Sequence, residues 1–219
     1  MADEFHIAHP AVTRYLESLA VVDDEPILLE MEALAKKNGF PIVGRLCGRL
    51  LEMLARSVSA KRIFELGSGY GYSAYWFSRV TGSDGEIHLT DGDPDNEKKA
   101  MDFLTRAGLA EPIRYHVGDA LTSLAEVDGE FDVVYCDIDK HGYPDAWRKG
   151  KERVRVGGYY ICDNMLWSGR VTDESPIPDV REGWTEAIKE TNQLIAEDPN
   201  FRETIVPLRD GVVAALRIA

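Results

Sequence analysis

The feature that most constrains this sequence is an apolar run that stops at three alternating glycines. The run covers residues 63–66, a helical pattern follows at 72–80, and the glycines between them are Gly67, Gly69 and Gly71. Because glycine has no Cβ and tolerates positive φ, a strand, glycine turn and helix in this order let the backbone approach a nucleotide-like ligand closely. A purely structural tight turn is the alternative interpretation.

The glycine spacing and a neighbouring acid narrow the class of ligand. The pattern is G-x-G-x-G, not the G-x-G-x-x-G of dinucleotide sites, and Glu65 lies in the strand just before the turn. A carboxylate there would repel a pyrophosphate but would suit a ligand with a cationic centre and ribose hydroxyls. The segment resembles the first motif of class I S-adenosylmethionine (SAM)-dependent methyltransferases. We expect Gly67→Val to block the ligand without unfolding the sheet.

Composition predicts one cytoplasmic domain. The chain has 219 residues, of which 44% are hydrophobic, and this length suits a single core over residues 1–219. No apolar run approaches the ~20 residues that span a bilayer, and the acidic start lacks the blocks of a signal peptide. The three cysteines show no metal-type spacing and are expected to be reduced thiols. A net charge of −13 disfavours nucleic acid as a partner.

The hydrophobic pattern predicts an α/β fold. Residues 1–60 show helical apolar stripes at 27–35 and 43–55, which we interpret as an N-terminal helical cover on an α/β core at 61–219. Strands are predicted at 63–66, 86–91, 113–117, 131–136, 159–162, 202–206 and 212–218. Helices are predicted between them at 72–80, 94–107, 120–127, 143–154 and 183–197, with a loop at 168–178. This order predicts a Rossmann-like, doubly wound, seven-stranded sheet that is mostly parallel and ends in an antiparallel hairpin.

Ligands of such sheets bind outside the carboxyl ends of the strands, so the residues there are candidates for the site. Ser73 follows the glycine turn and could hydrogen-bond a ligand carboxylate. Asp91 ends the second strand at about the spacing of an acid that binds ribose hydroxyls, and Asp93 competes for this role or caps the next helix. Asp119 follows the third strand and either accepts from an adenine amino group or caps a helix.

Two neighbouring strands end in metal-type ligands. Asp137 follows the fourth strand, and Asp163 and Asn164 follow the fifth. Three oxygen donors suit Mg²⁺, Mn²⁺ or Ca²⁺ better than zinc, and two unpaired aspartates at a sheet end would repel each other. Two unrelated helix caps are the alternative.

Taken together, these motifs resemble the cation-dependent O-methyltransferases that include catechol and caffeoyl-CoA O-methyltransferases. The resemblance covers about residues 40–218 and rests on segments 65–73, 118–120, 137–140, 163–169 and 207–211, with Asp91. Residues 33–42 and 198–211 look more like the bacterial branch, which includes small-phenol methyltransferases and a tRNA hydroxyuridine O-methyltransferase. Ser168 stands where the plant enzymes have an asparagine that touches substrate.

The resemblance implies a role for each matching residue, and a homodimer. The SAM site would be lined by Val43, Glu65, Gly67, Ser73, Asp91, Ala120 and Asp139. Asp119 and Asp137 complete the predicted set of cofactor-binding residues. Asp137, Asp163 and Asn164 would bind the metal, and Lys140 would be the general base.

The expected reaction is methylation of one oxygen of a small ortho-diphenol. Near a cation and partly desolvated, Lys140 would have its pKa lowered and would take the acceptor proton. His141 is a rival base, and Trp167 and Tyr143 either stack on a flat substrate or belong to the core. A tRNA wobble hydroxyuridine O-methyltransferase and a cofactor-binding protein without catalysis are the alternatives.

Overall fold

The computed structural model describes residues 7–20, 25–172, 175 and 177–219. In this part of the chain, helices α1 (Pro10–Leu19), α2 (Pro26–Asn38) and α3 (Gly44–Ser57) precede the first strand. The predictions for residues 1–6, 21–24, 173, 174 and 176, which include part of the predicted loop, lie outside the described residues.

The described residues form one seven-stranded sheet with the order β3-β2-β1-β4-β5-β7-β6. Its strands are β1 (Arg62–Leu66), β2 (Glu86–Asp91), β3 (Ile113–Val117), β4 (Phe131–Cys136), β5 (Val154–Cys162), β6 (Phe201–Val206) and β7 (Val212–Arg217). The connecting helices are α4 (Tyr72–Thr81), α5 (Pro94–Arg106), α6 (Ala120–Glu126), α7 (Tyr143–Gly150) and α8 (Trp184–Ala196). Neighbours from β3 to β5 are parallel, while β7 is antiparallel to β5 and β6. The predicted Rossmann-like fold class is confirmed.

The core lies on both faces of the sheet, which explains why β1 and β4 are almost continuously buried. Leu51 of α3, Trp76 of α4 and Phe103 of α5 pack on one face. Leu124 of α6, Trp147 of α7 and Ile188 of α8 pack on the other.

The fifth strand begins earlier than predicted. Helix α7 ends at Gly150, and β5 starts at Val154 instead of residue 159. Gly157 and Gly158, which we interpreted as a stop before the strand, lie inside it where the pairing with β4 shifts register. A Cβ at Gly158 would lie 2.6 Å from the main-chain oxygen of Asp132. These glycines therefore allow an irregular strand to approach β4 closely.

Side-chain contacts join the N-terminal helical cover to the glycine turn. The Arg45 guanidinium of α3 donates to both Glu32 oxygens of α2 at 2.7 and 2.9 Å, and the Tyr72 hydroxyl of α4 donates to Glu32 at 2.8 Å. The Tyr70 hydroxyl donates to the main-chain oxygen of Met31 at 3.0 Å. Thus α2 is held against both α3 and the start of α4. Within the described residues, every helix is too short or too polar to cross a membrane.

Candidate active site

A cavity of about 910 Å³ lies at the carboxyl ends of the strands, beneath the segment that joins α2 to α3. It is lined by nearly all of the predicted site residues, namely Val43, Gly67, Ser73, Asp91, Asp119, Ala120, Asp137, Asp139, Lys140, Asp163 and Asn164. Glu65 is the exception in this set, because its side chain is completely buried behind the wall. One cavity therefore brings together the predicted cofactor and metal sites.

The glycine turn runs directly beside the end of β4. Gly67, Gly69 and Gly71 have φ values of 84°, 49° and 84°, which favour glycine. A Cβ at Gly67 would lie 2.5 Å from the main-chain oxygen of Asp137. The prediction that Gly67→Val leaves the sheet intact is therefore wrong, because the added side chain would displace the neighbouring strand end.

Glu65 places a buried carboxyl group behind this turn. Ser73 Oγ is hydrogen-bonded to Glu65 Oε1, and Oε2 is buried without a hydrogen-bond partner among the described residues. Burial raises the pKa of Glu65 to about 8, an effect opposed by the hydrogen bond with Ser73 and increased by the Asp137 charge. The Ser73 hydroxyl, which we expected to face a ligand carboxylate, is thus engaged with Glu65.

The structure separates the two acids that compete for the ribose role. Asp91 lies on the cavity wall, where its Oδ1 accepts from the Asp93 backbone N–H at 2.8 Å and from Asn96 Nδ2 at 3.1 Å. Asp93 caps α5 by accepting from the Asp95 N–H at 2.9 Å. The arrangement favours Asp91 as the ribose-binding candidate.

Asp119 is a helix cap that also borders the cavity. Its Oδ1 accepts from the backbone N–H and the hydroxyl of Thr122, each at 2.8 Å. These hydrogen bonds hold the pKa of Asp119 below its ordinary value. The Thr122 hydroxyl has the larger effect and the Thr122 backbone N–H the next largest. The capping interpretation accounts for this side chain, and a contact with adenine stays a prediction.

The predicted metal ligands come from adjacent strand ends. Cys136 of β4 pairs with Cys162 of β5, so Asp137 and Asp163 emerge side by side. Asp163 is buried, and its Oδ1 accepts from the Asn164 backbone N–H at 2.8 Å. Burial and then the Asp137 charge raise the pKa of Asp163 to about 7.

This donor set fits a hard divalent cation. No group of three or more His, Cys, Asp or Glu side chains placed to hold a metal occurs in the described part of the chain. The candidate is therefore two carboxylates and one amide, whose oxygens are the ligand type that Mg²⁺, Mn²⁺ and Ca²⁺ prefer. A cation between Asp137 and Asp163 would relieve the repulsion that raises the pKa of Asp163.

Lys140 lies beside this set with all of its hydrogen-bond donors occupied. Its Nζ donates to Asp137 Oδ1 at 3.0 Å, to the Ile138 main-chain oxygen at 3.2 Å and to the Tyr143 hydroxyl at 2.6 Å. Burial alone would lower the pKa of Lys140, as we expected from the sequence. The Asp137 charge and hydrogen bond outweigh burial, so the pKa of Lys140 is raised in this arrangement.

Tyr143 supports Lys140 from within the core. Its side chain is completely buried and its hydroxyl donates to the Asp163 main-chain oxygen at 3.0 Å. The core interpretation of Tyr143 is therefore right, and the stacking alternative is wrong. Sequence analysis missed the hydrogen bond to Lys140, although its i, i+3 spacing is a usable signal.

Aromatic and polar side chains form the remaining wall. Trp167 and exposed His141 line the cavity, as does Trp184 at the first position of α8. The two tryptophan rings lie 5.8 Å apart. Sequence analysis missed Trp184, because its role appears only when α8 packs beside the cavity. It also missed Asp210, whose carboxylate accepts from the Ser168 N–H and, at 3.4 Å, from Asn164 Nδ2.

Comparisons with known proteins agree with this geometry. A family model described as O-methyltransferase matches residues 18–218. Caffeoyl-CoA O-methyltransferase 1 of Eucalyptus globulus is 30% identical over 179 residues, which cover 78% of this chain and 73% of the relative.

Two solved structures with bound ligands are also similar. The O-methyltransferase TomG from Streptomyces achromogenes, involved in tomaymycin synthesis and in complex with SAM, is 26% identical, with a TM-score of 0.83 and 100% coverage of both chains. An O-methyltransferase from Bacillus cereus in complex with SAH is also 26% identical, with a TM-score of 0.81 and coverage of 94% of this chain and 97% of that one.

Proposed function

The chain belongs to the O-methyltransferase family, and from this premise we propose that it methylates one hydroxyl of a small ortho-diphenol with the help of a divalent cation. It is a SAM-dependent O-methyltransferase. The observation that carries the finer proposal is the meeting of Asp137, Asp163, Asn164 and Lys140 on the cavity that also contains the glycine turn.

We assign the methyl donor and the methyl acceptor to different ends of the cavity. SAM, which supplies the methyl group, is assigned to the glycine turn, with the ribose at Asp91 and the donor's positive charge near Asp137 and buried Glu65. The acceptor is assigned to the side lined by His141, Trp167 and Trp184. Holding both reactants in one cavity supplies much of the rate by proximity and orientation.

Asp137, Asp163 and Asn164 would hold the cation. When bound there, a divalent cation supplies a positive charge that lowers the pKa of an acceptor hydroxyl. Two carboxylates leave such a site close to neutral, and the planar amide adds an oxygen without adding charge. An ortho-diphenol suits the site because its two neighbouring oxygens are also hard donors.

We assign to Lys140 the role of accepting the proton of the acceptor hydroxyl. Its three acceptors fix Nζ at the edge of the metal-ligand set. The raised pKa of Lys140 means that the side chain is an ammonium in the arrangement described here, so it must lose a proton before it serves as a base. As an ammonium, it would instead stabilise the negative acceptor oxygen.

A methyl-transfer assay tests the proposal. Purified protein would be given labelled SAM with catechol, caffeoyl-CoA or bulk unmodified tRNA, each with and without EDTA. We expect catechol to be methylated, excess EDTA to abolish turnover, and added Mg²⁺ to restore it. Full activity in EDTA would remove the cation from the proposal.

The tRNA arm decides between acceptor classes. A net charge of −13 opposes long-range attraction of a polyanion. Methylation of tRNA that falls steeply with salt, together with no reaction of catechol, would replace the small-molecule proposal, since phosphate contacts release counterions.

A further inference from the structure

We propose that Asp210 is a positioning residue that turns the amide oxygen of Asn164 toward the cation site. The inference rests on the proposed function, because Asn164 is taken as a metal ligand. Asp210 lies in the turn between β6 and β7 and is absent from the residues that line the cavity. It therefore acts through Asn164 and not on a reactant.

An asparagine ligand differs from a carboxylate ligand in having two unlike ends. A carboxylate offers oxygen on both sides, whereas an amide offers oxygen on one side and an NH₂ donor on the other. Only the oxygen binds a hard cation. Asn164 is a ligand only if something fixes which end of its amide faces the site.

Asp210 meets that requirement because an ionised carboxylate only accepts hydrogen bonds. Asn164 Nδ2 lies 3.4 Å from Asp210 Oδ2 and donates to it. With the NH₂ group directed to Asp210, the amide oxygen faces away from the turn. Partners that orient a metal ligand in this way are a general feature of metal sites.

The position of Asp210 is itself fixed by the segment that it orients. Its other oxygen, Oδ1, accepts from the Ser168 N–H, and its main-chain oxygen accepts from the Leu166 N–H at 2.9 Å. The Gly211 main-chain oxygen accepts from the Met165 N–H at 2.9 Å. A Cβ at Gly211 would lie 2.5 Å from Leu166 Cγ, so the two segments are closely packed. The carboxylate is thus held in place by the segment that directly follows Asn164.

Substitution of this one carboxylate by an amide is the informative change. In Asp210→Asn, the introduced amide keeps an oxygen for the Ser168 N–H and turns its NH₂ group toward Asn164. The Asn164 amide then turns over so that its oxygen accepts a hydrogen bond from that NH₂ group, which directs its nitrogen at the cation. We expect Mn²⁺ affinity to fall about 10- to 100-fold, the usual loss when such a partner is removed.

The experiment measures Mn²⁺ binding directly, by the electron paramagnetic resonance signal of free Mn²⁺, without turnover. Glu203→Gln is the matched control, since it removes one exposed carboxylate from the same hairpin. We expect it to bind Mn²⁺ as the wild type does. Calorimetric titration with SAM checks that each variant is folded.

Repeating the Asp210→Asn substitution in the Asn164→Asp variant separates a positioning effect on residue 164 from a simple loss of the Asp210 charge. In Asn164→Asp, the ligand presents oxygen on either side and needs no orientation, so adding Asp210→Asn should cause no further loss of Mn²⁺ affinity. An equal loss in both backgrounds would show a long-range charge effect and overturn the inference. Unchanged affinity in Asp210→Asn alone would also overturn it.

A conservative variant covers the case in which Asp210→Asn does not fold. Asp210→Glu keeps an acceptor-only group and should bind Mn²⁺ more tightly than Asp210→Ser, and the reverse order would contradict the inference. Wild-type protein that binds no Mn²⁺ would overturn the cation proposal itself, together with this inference. Wild-type binding with an unaffected Asp210→Asn would overturn only the role of Asp210.

Discussion

A buried carboxyl group at Glu65 makes stability depend on pH. Its pKa is about 8 in the folded protein against an ordinary value of 4.5, so between these values the folded state binds more protons than the unfolded state. The free energy of unfolding must therefore fall as pH rises through this window, by up to about 1.4 kcal/mol per pH unit from this group.

Glu65→Gln removes the ionisation while keeping the shape of the side chain. We expect the variant to gain stability relative to the wild type as pH rises from about 6 to about 8, with the difference levelling off above that. Urea unfolding of the ligand-free proteins measures it, with Glu111→Gln at an exposed position as the control. A difference that does not change with pH would contradict the buried ionisation.

The Tyr143 hydroxyl holds Lys140, and its removal should affect both stability and rate. In Tyr143→Phe, the buried Lys140 ammonium loses one of its three acceptors and the Asp163 carbonyl loses a donor. We expect the free energy of unfolding to fall by about 2 kcal/mol, since a buried polar group is left without a partner. Because Lys140 is then less well placed toward the acceptor oxygen, kcat should fall more than KM rises.

Tyr135→Phe is the matched control for this change. The Tyr135 hydroxyl is also buried but has no hydrogen-bond partner within the described residues. Its removal should leave stability unchanged or slightly improved. If the two variants lose the same stability, the hydrogen bonds of Tyr143 are not the cause.

At this scale the sequence predicted the residues that belong to short motifs and missed those that act across the fold. Asp137, Lys140 and Asp163 stand at strand ends, and this position alone places them on the cavity. Asp210 and Trp184 reach the site from a turn and a helix that come much later in the chain. Their roles depend on how β7 and α8 pack, which no local pattern contains.

Among the elements, one carboxylate of the N-terminal helical cover joins three helices. Glu32 of α2 binds Arg45 of α3 and Tyr72 of α4, and the segment after α2 forms part of the cavity wall through Val43. We expect Glu32→Ala to loosen α2, to weaken SAM binding several-fold, and to expose the α2–α3 connection to protease. The half-buried Arg45 guanidinium would lose the two hydrogen bonds that it donates to Glu32.

Glu30→Ala, two residues earlier on α2, is the control for that prediction. Glu30 pairs with Arg106 of α5, but the two side chains are 51% and 40% exposed, so this surface ion pair contributes little. Calorimetry with SAM should give nearly wild-type affinity for Glu30→Ala. Equal weakening in both variants would mean that any loss of charge on α2 suffices.

Element order was more predictable than element ends. The parallel sheet and its final hairpin followed from the alternation of strand and helix patterns, because both faces of the sheet are covered and its central strands are buried. The start of β5 was misplaced, since Gly157 and Gly158 look like a turn in the sequence but serve an irregular strand. Which backbone approaches them is a property of the assembled sheet.

For the molecule as a whole, the family resemblance implies a homodimer, and helix α1 offers a surface for it. Val12, Tyr15 and Leu19 recur on one face of α1 and are 50%, 63% and 50% exposed. We propose that a second copy covers this face, since a two-fold axis can bury one apolar stripe against itself. Light scattering should give twice the mass of one chain.

The matching change is Tyr15→Glu, which places a charge in the middle of the proposed contact. We expect it to shift the mass toward that of one chain, while Val156→Glu, at an exposed valine of β5, leaves the mass unchanged. A wild-type protein with the mass of a single chain would end this proposal. If the wild type is a dimer, the activity of the two variants shows whether dimer formation is needed for turnover.

The strand order also determines when a newly made chain acquires its site. β7 inserts between β5 and β6, although it follows both of them in the sequence, and the turn before it carries Arg209, whose guanidinium donates to the Ile42 main-chain oxygen at 2.7 Å. During translation the glycine turn and the strand ends can form first, since domains are made from the N-terminus onward. The sheet remains open between β5 and β6 until β7 has left the ribosome. A nascent chain would thus expose the unpaired edges of β5 and β6 before that moment, and this is the stage at which we expect a chaperone to bind it.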